Sequence, residues 1–80
     1  AAADTFGWIL YQQGAIDRAV PLLEQAARSL PGVSEVQYHV GAAYLKQGKR
    51  AEARQALERA LKGQTFAEAD KARKMLDSVR

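Results

Sequence analysis

A fixed step of 34 residues, from Gly7 to Gly41, carries one half of this chain onto the other. The same step takes Gln13 to Gln47, Gly14 to Gly48, Ala19 to Ala53, Leu23 to Leu57, Glu24 to Glu58 and Ala26 to Ala60. The identities favour small and apolar positions, where one helix must meet another, and a repeat of fixed period constrains a fold more than any local propensity. The stretch 41–60 shows the unit. Its apolar spacing is helical before Gly48 and helical again after Ala51. Two helices with so short a connection fold back antiparallel. Gly41 and Ala53 leave little side chain between them, so close approach of the two backbones is expected there.

In chain order, the first helix begins at Ala2 or Ala3, or behind a cap at Asp4 or Thr5, and runs to about Gln13. Phe6, Leu10 and Ile9 are expected to face its partner, with Trp8 and Tyr11 on a neighbouring stripe. Gly14 ends it in the manner of a C′ glycine. The second helix spans about 17–29, with Ala19, Leu22, Leu23 and Ala26 inward and Pro21 accepted near its start. Leu30-Pro31-Gly32 stops it. Ser34 and Gln37 form a capping box for a third helix to about Gln47, packed through Val36, Val40, Ala43 and Tyr44. The fourth helix covers about 51–62, with Ala53, Leu57, Ala60 and Leu61 inward and a Glu58–Lys62 pair on its surface. Thr65 and Glu68 form a second capping box. The fifth helix runs over 66–79 on a stripe of Phe66, Ala69, Ala72, Leu76 and Val79, and closes the open face of the second hairpin.

Composition narrows the function classes. Eighty residues make one domain at most, and stacked hairpins offset the small core that such a length allows. There are no cysteines, so disulfides and thiolate metal sites are excluded. No segment approaches the length of a membrane span. Net charge is +3, and the basic residues Lys46, Lys49, Arg50 and Arg54 are interrupted by acids such as Glu52 and Glu58. That is a solvated mixed surface, not the concentrated basic face that nucleic acid requires. His39 is the single histidine, and with Glu35 one turn earlier it does not make up a zinc ligand set. No nucleophile, paired carboxylate or phosphate loop accompanies it, so the chain is read as no enzyme and as needing no cofactor or metal.

These residues resemble the tetratricopeptide repeat family, whose unit has 34 residues. In the second copy Val40 and Gly41 stand at the family's Leu-Gly positions, Tyr44 at its tyrosine, Gly48 at its turn, and Ala53, Leu57 and Ala60 at its Ala, Phe/Leu and Ala. In the first copy Phe6, Gly7, Leu10, Gly14, Ala19, Leu23, Ala26 and Pro31 match. Ala3 and Gln37 stand where an early aromatic is preferred, Leu10 replaces the tyrosine, and Thr65 replaces the late proline. The resemblance covers about residues 3–65. It implies an all-α fold of antiparallel hairpins stacked as a short right-handed α-solenoid. The single domain 1–80 would divide into a repeat at 3–33, a repeat at 34–65 and a capping helix at 66–79.

In the family, the first helix of each repeat lines a concave groove that receives a partner protein or peptide. Carried over, that groove would hold Asp4, Trp8, Tyr11 and Gln12, then Glu35, Tyr38, His39, Ala42, Leu45 and Lys46, with Arg73 from the last helix. Helical phase agrees for Trp8 with Tyr11 and for Tyr38 with Leu45. Rigid aromatics beside charge suit a binding surface. The competing reading is structural: Trp8 and Tyr11 pack against a further repeat, or against Tyr38 within the array. The family's clamp for C-terminal carboxylates is not reproduced, because Trp8 and Ala42 stand where asparagine serves and Tyr38 where lysine serves. Two repeats are few, and the uncapped alanines at 1–3 suggest a C-terminal piece of a longer array; self-association is the alternative. The short hairpins resemble bacterial examples, and cytoplasm and periplasm are both compatible.

Overall fold

The computed structural model describes residues 2–80. It contains five helices, α1 (Ala2–Gln12), α2 (Ile16–Ser29), α3 (Ser34–Lys46), α4 (Arg50–Lys62) and α5 (Ala69–Val79), and no strand among the described residues. The expected helix starts at Ala2; Ala1 lies outside the described residues. The turns of the two hairpins are built alike. Gly14 has φ +85° and Gly48 φ +79°, left-handed conformations that an L side chain rarely adopts. In the first turn Ala15 N–H donates to Leu10 C=O and Gly14 N–H to Tyr11 C=O. In the second, Lys49 N–H donates to Tyr44 C=O and Gly48 N–H to Leu45 C=O. Both are Schellman closures, which satisfy the last carbonyls of α1 and α3 and send the chain back on itself.

Each hairpin is zipped by one glycine against one leucine. A Cβ placed on Gly7 would lie 2.8 Å from Leu23 Cγ and Cδ2, and one on Gly41 would lie 3.0 Å from Leu57 Cγ. The expected Gly41–Ala53 apposition is therefore displaced to Leu57 and Ala56. On α4 it is Leu57 and Ala56 whose side chains face Gly41, with Leu57 Cγ 3.0 Å and Ala56 Cβ 3.3 Å from the added Cβ. Ala53 remains fully buried.

Two apolar clusters join the hairpins. Ala19, Val20 and Leu23 of α2 pack with Val40 and Ala43 of α3 and Ala56 of α4. Tyr38 and Ala42 of α3 pack with Leu57 and Ala60 of α4 and with Ala72, Leu76 and Val79 of α5, so α5 closes the second hairpin as expected. Phe6 and Ile9 depart from expectation: they are 65% and 44% exposed and do not face α2. Gly7 and Leu10 occupy that side of α1 instead, because Leu23 reaches the backbone only at the glycine.

The two expected capping boxes are absent. Val33 is the cap residue of α3, and its carbonyl accepts from Gln37 N–H. Ser34 Oγ is buried without a partner, and the side chain sits where any Cβ on Gly63 would fall. Gln37 is used for tertiary links: Nε2 donates to Pro31 C=O at 3.2 Å, and Oε1 accepts from Arg59 Nε at 3.2 Å. The helix expected from Phe66 starts at Ala69, behind Glu68, with no side-chain cap. Phe66 lies in the preceding loop with its ring against Tyr38. Pro21 sits inside α2, one residue deeper than a start at 17 gives and past the first turn, and is exposed. Glu58 and Lys62 form no ion pair; the pairs among the described residues are His39–Asp4, Arg73–Asp70 and Arg80–Asp77.

Candidate partner-binding site

Helical spacing places Asp4, Trp8 and Tyr11 on one face of α1. Tyr38, His39, Ala42 and Leu45 come from α3. The fold brings most of these together as an aromatic stack between the two first helices. Trp8 stacks on Tyr11, with centroids 4.4 Å apart and planes at 6°. It also stacks on His39, at 4.0 Å and 19°. Tyr38 tilts against Trp8 at 5.6 Å and against Phe66 at 5.7 Å, extending the array to the segment that leads into α5. Offset and tilted pairs at these distances contribute about 0.5–1.5 kcal/mol each beyond their area burial.

A polar contact orders the stack. Asp4 Oδ1 and His39 Nδ1 are 2.7 Å apart, with both side chains largely buried. Asp4 is thus the acid partner of His39, and Glu35, which precedes the histidine by one turn, stays exposed. The contact ties the first turn of α1 to the middle of α3 and fixes the imidazole plane against Trp8. Burial raises the pKa of Tyr11, and burial followed by the charges of Tyr11 and Glu68 raises that of Tyr38. Both phenols are neutral at physiological pH.

Besides Asp4, the expected groove residues fall into three groups. Tyr38, His39 and Ala42 are buried, at 3%, 6% and 1% exposure, so the chain's own side chains cover them. Trp8, Tyr11 and Leu45 are half-buried and pack against the α3–α4–α5 cluster while keeping part of their surface open. Gln12, Glu35, Lys46 and Arg73 are exposed. Arg73 does not join the stack. It pairs with Asp70 at 3.5 Å and lines a shallow cleft of about 320 Å³ between α4 and α5 with Glu58, Leu61, Lys62 and Leu76.

Sequence reasoning missed a second polar seam. Tyr44 Oη donates to Glu24 Oε2 at 2.6 Å, joining α3 to α2. Burial first, then the hydrogen bond to Glu24 and the charges of Glu24 and Glu52, push the Tyr44 pKa up to about 12, against a smaller lowering by Arg59. This seam, with Arg28, Pro31, Gln37 and Arg59, lines a cavity of about 300 Å³. The departure of Tyr44 from its counterpart Leu10 was a visible signal: a phenol in place of an aliphatic needs a polar partner when it packs.

Paired antiparallel helices, each hairpin laid on the next, define an α-helical repeat scaffold. A family model described as Tetratricopeptide repeat matches residues 10–76, from the end of α1 through most of α5, and the chain belongs to the tetratricopeptide repeat family. Among the described residues no group of three or more His, Cys, Asp or Glu side chains is placed to hold a metal ion. No helix is long and apolar enough to cross a membrane. The tetratricopeptide repeat is in general a protein–protein interaction module. No curated protein and no solved structure matches the chain.

Proposed function

We propose that the chain is a protein-interaction module that receives a partner protein or peptide along the open rim of the aromatic stack. Tyr11, Trp8 and Leu45 supply the apolar contact, and Gln12, Glu35 and Lys46 supply the polar edge. One observation carries this reading: the Trp8 ring is already held by Tyr11 and His39 before any partner arrives. A ring held in this way loses little further entropy on binding, which is what an aromatic anchor needs. The rim is short, so affinity for a lone peptide is on the order of micromolar.

The burial of Tyr38, His39 and Ala42 favours a second, structural reading, in which the stack serves to lock hairpin to hairpin. Recovery of partners from a lysate of the source cells separates the two. Tagged wild type and a Tyr11→Ala, Leu45→Ser variant are compared after circular dichroism confirms that the variant is folded. Selective loss of a partner by the variant supports the rim. Identical recovery of every partner assigns these side chains to structure alone.

A further inference from the structure

Pro31, Gln37 and Arg59 are shared by two pockets. One is the cavity beside Tyr44, which contains the Glu24 carboxylate. The other, of about 250 Å³, lies between the first turn of α3 and the last turn of α4. Its polar side chains are Ser34, Gln37, Arg59 and Lys62, and no acid lines it. The neighbouring acid Glu35 is exposed outside it.

Three features of this second pocket go together. Ser34 is 5% exposed, and its Oγ is buried without a hydrogen-bond partner at the head of α3. A buried hydroxyl left unpaired costs free energy, and a ligand that accepts from it recovers that cost. Gln37 is buried, with Nε2 donating to Pro31 C=O and Oε1 accepting from Arg59 Nε at 3.2 Å. That bond fixes the guanidinium and leaves both Nη groups without an acceptor among the described residues. Lys62 has no acid partner among the described residues, and the start of α3 adds the positive end of its dipole. Cations in the last turn of a helix also complement its negative end, and that role would account for Lys62 alone. It does not account for a guanidinium tethered by a buried glutamine, or for the unpaired hydroxyl.

We propose that this pocket is an anion site for a phosphate monoester, carried by a small molecule or by a phosphorylated side chain. Arg59 supplies a fork of donors, Lys62 a second positive charge and Ser34 a hydroxyl donor. Donors from two helices suit a tetrahedral oxyanion with three free oxygens, whereas a planar carboxylate is filled by the arginine fork alone. The cavity beside Tyr44 does not suit it, because the Glu24 carboxylate there repels an anion. None of the pocket's side chains belongs to the aromatic stack or its rim, so the site is independent of the partner surface described above.

Methyl phosphate is titrated into the isotopically labelled full chain at constant ionic strength, with acetate and chloride as controls. Saturable amide shifts at Ser34, Gln37 and Gly63 are expected, with a shift of Arg59 Nε–H and at least about tenfold weaker binding of acetate. Arg59→Gln with Lys62→Gln weakens methyl phosphate binding at least about tenfold. Both residues are exposed, so that variant keeps the wild-type circular dichroism spectrum. Arg59→Lys, which keeps the charge and loses the fork, weakens binding about threefold. Ser34→Ala also weakens it about threefold, while the melting temperature without phosphate stays the same or rises, because the hydroxyl has no partner to lose. A Gly-Gly-phosphoserine-Gly-Gly peptide separates the two sources. Binding tighter than that of methyl phosphate assigns the site to a phosphorylated side chain, and equal or weaker binding assigns it to a small phosphate. Absence of saturable shifts at tens of millimolar methyl phosphate, an equal response to acetate, equal binding by the Arg59→Gln, Lys62→Gln chain, or shifts centred on Arg28 and Tyr44 each overturns the proposal.

Discussion

The two hairpins are near-copies inside and unlike outside. Gly7 meets Leu23 as Gly41 meets Leu57, and both turns close with the same pair of hydrogen bonds around a left-handed glycine. On the flank toward the preceding element, the copies diverge. Val40 and Ala43 are 2% and 0% exposed, while their counterparts Phe6 and Ile9 are open. A helix–helix contact across a short turn is a local property, carried by residues close in sequence. Burial of a flank depends on what is laid against it. Hydrophobicity at Phe6 or Ile9 therefore does not indicate contact with α2.

The comparison can be broken most sharply at the leucines. Leu57→Ala should cost about 4 kcal/mol and Leu23→Ala about 3. Leu57 is enclosed by α3 and the cluster that includes α5, whereas the cavity at Leu23 can collapse from the free side of α1. Urea melts of both variants measure the difference, and equal losses would mean that the open flank gives no extra room to relax.

Gly41→Leu should cost about 3 kcal/mol by overpacking against Leu57 and Ala56. An unchanged thermal midpoint would show that α3 and α4 do not meet at this glycine. Val40→Ala should cost about 2 kcal/mol, the worth of a buried valine's outer carbons with the packing around them.

Tyr44→Phe removes a bond that the first repeat lacks altogether, since Leu10 stands there, and should cost about 1 kcal/mol at neutral pH. It should also change the alkaline limb. The folded pKa of Tyr44 lies above the ordinary 10, at about 12, so this group's contribution is full below pH 10 and lost as pH rises from 10 to 12. Wild type should lose stability across that window relative to Tyr44→Phe in parallel denaturant titrations. Parallel curves for the two proteins would remove the Glu24 bond from the account. The smallest effect belongs to Phe6→Ser, within about 0.5 kcal/mol, as for other exposed positions. A loss as large as that of Val40→Ala would show that the α1 flank is already covered in solution.

Much of this architecture was legible because a period of 34 residues, two turn glycines and a row of small residues are each enforced by backbone geometry. Left-handed φ at positions 14 and 48 and the tight approaches at 7 and 41 demand glycine whatever lies elsewhere. The aromatic face of α1 and α3 was legible for the same reason, since helical phase alone groups Trp8 with Tyr11 and Tyr38 with Leu45. Tertiary structure decided what those residues touch. Only the crossing of α1 over α3 selects Asp4 over Glu35 as the partner of His39, and only the path of the loop brings Phe66 onto Tyr38 instead of into α5. Ser34 and Gln37 satisfied a capping pattern, yet Gln37 reached Pro31 and Arg59, contacts set by the position of α4 and the preceding loop. Periodicity specifies which side of a helix a residue occupies. The burial of that side, and the partner of each polar group on it, follow from the neighbouring helices, whose placement no local pattern encodes.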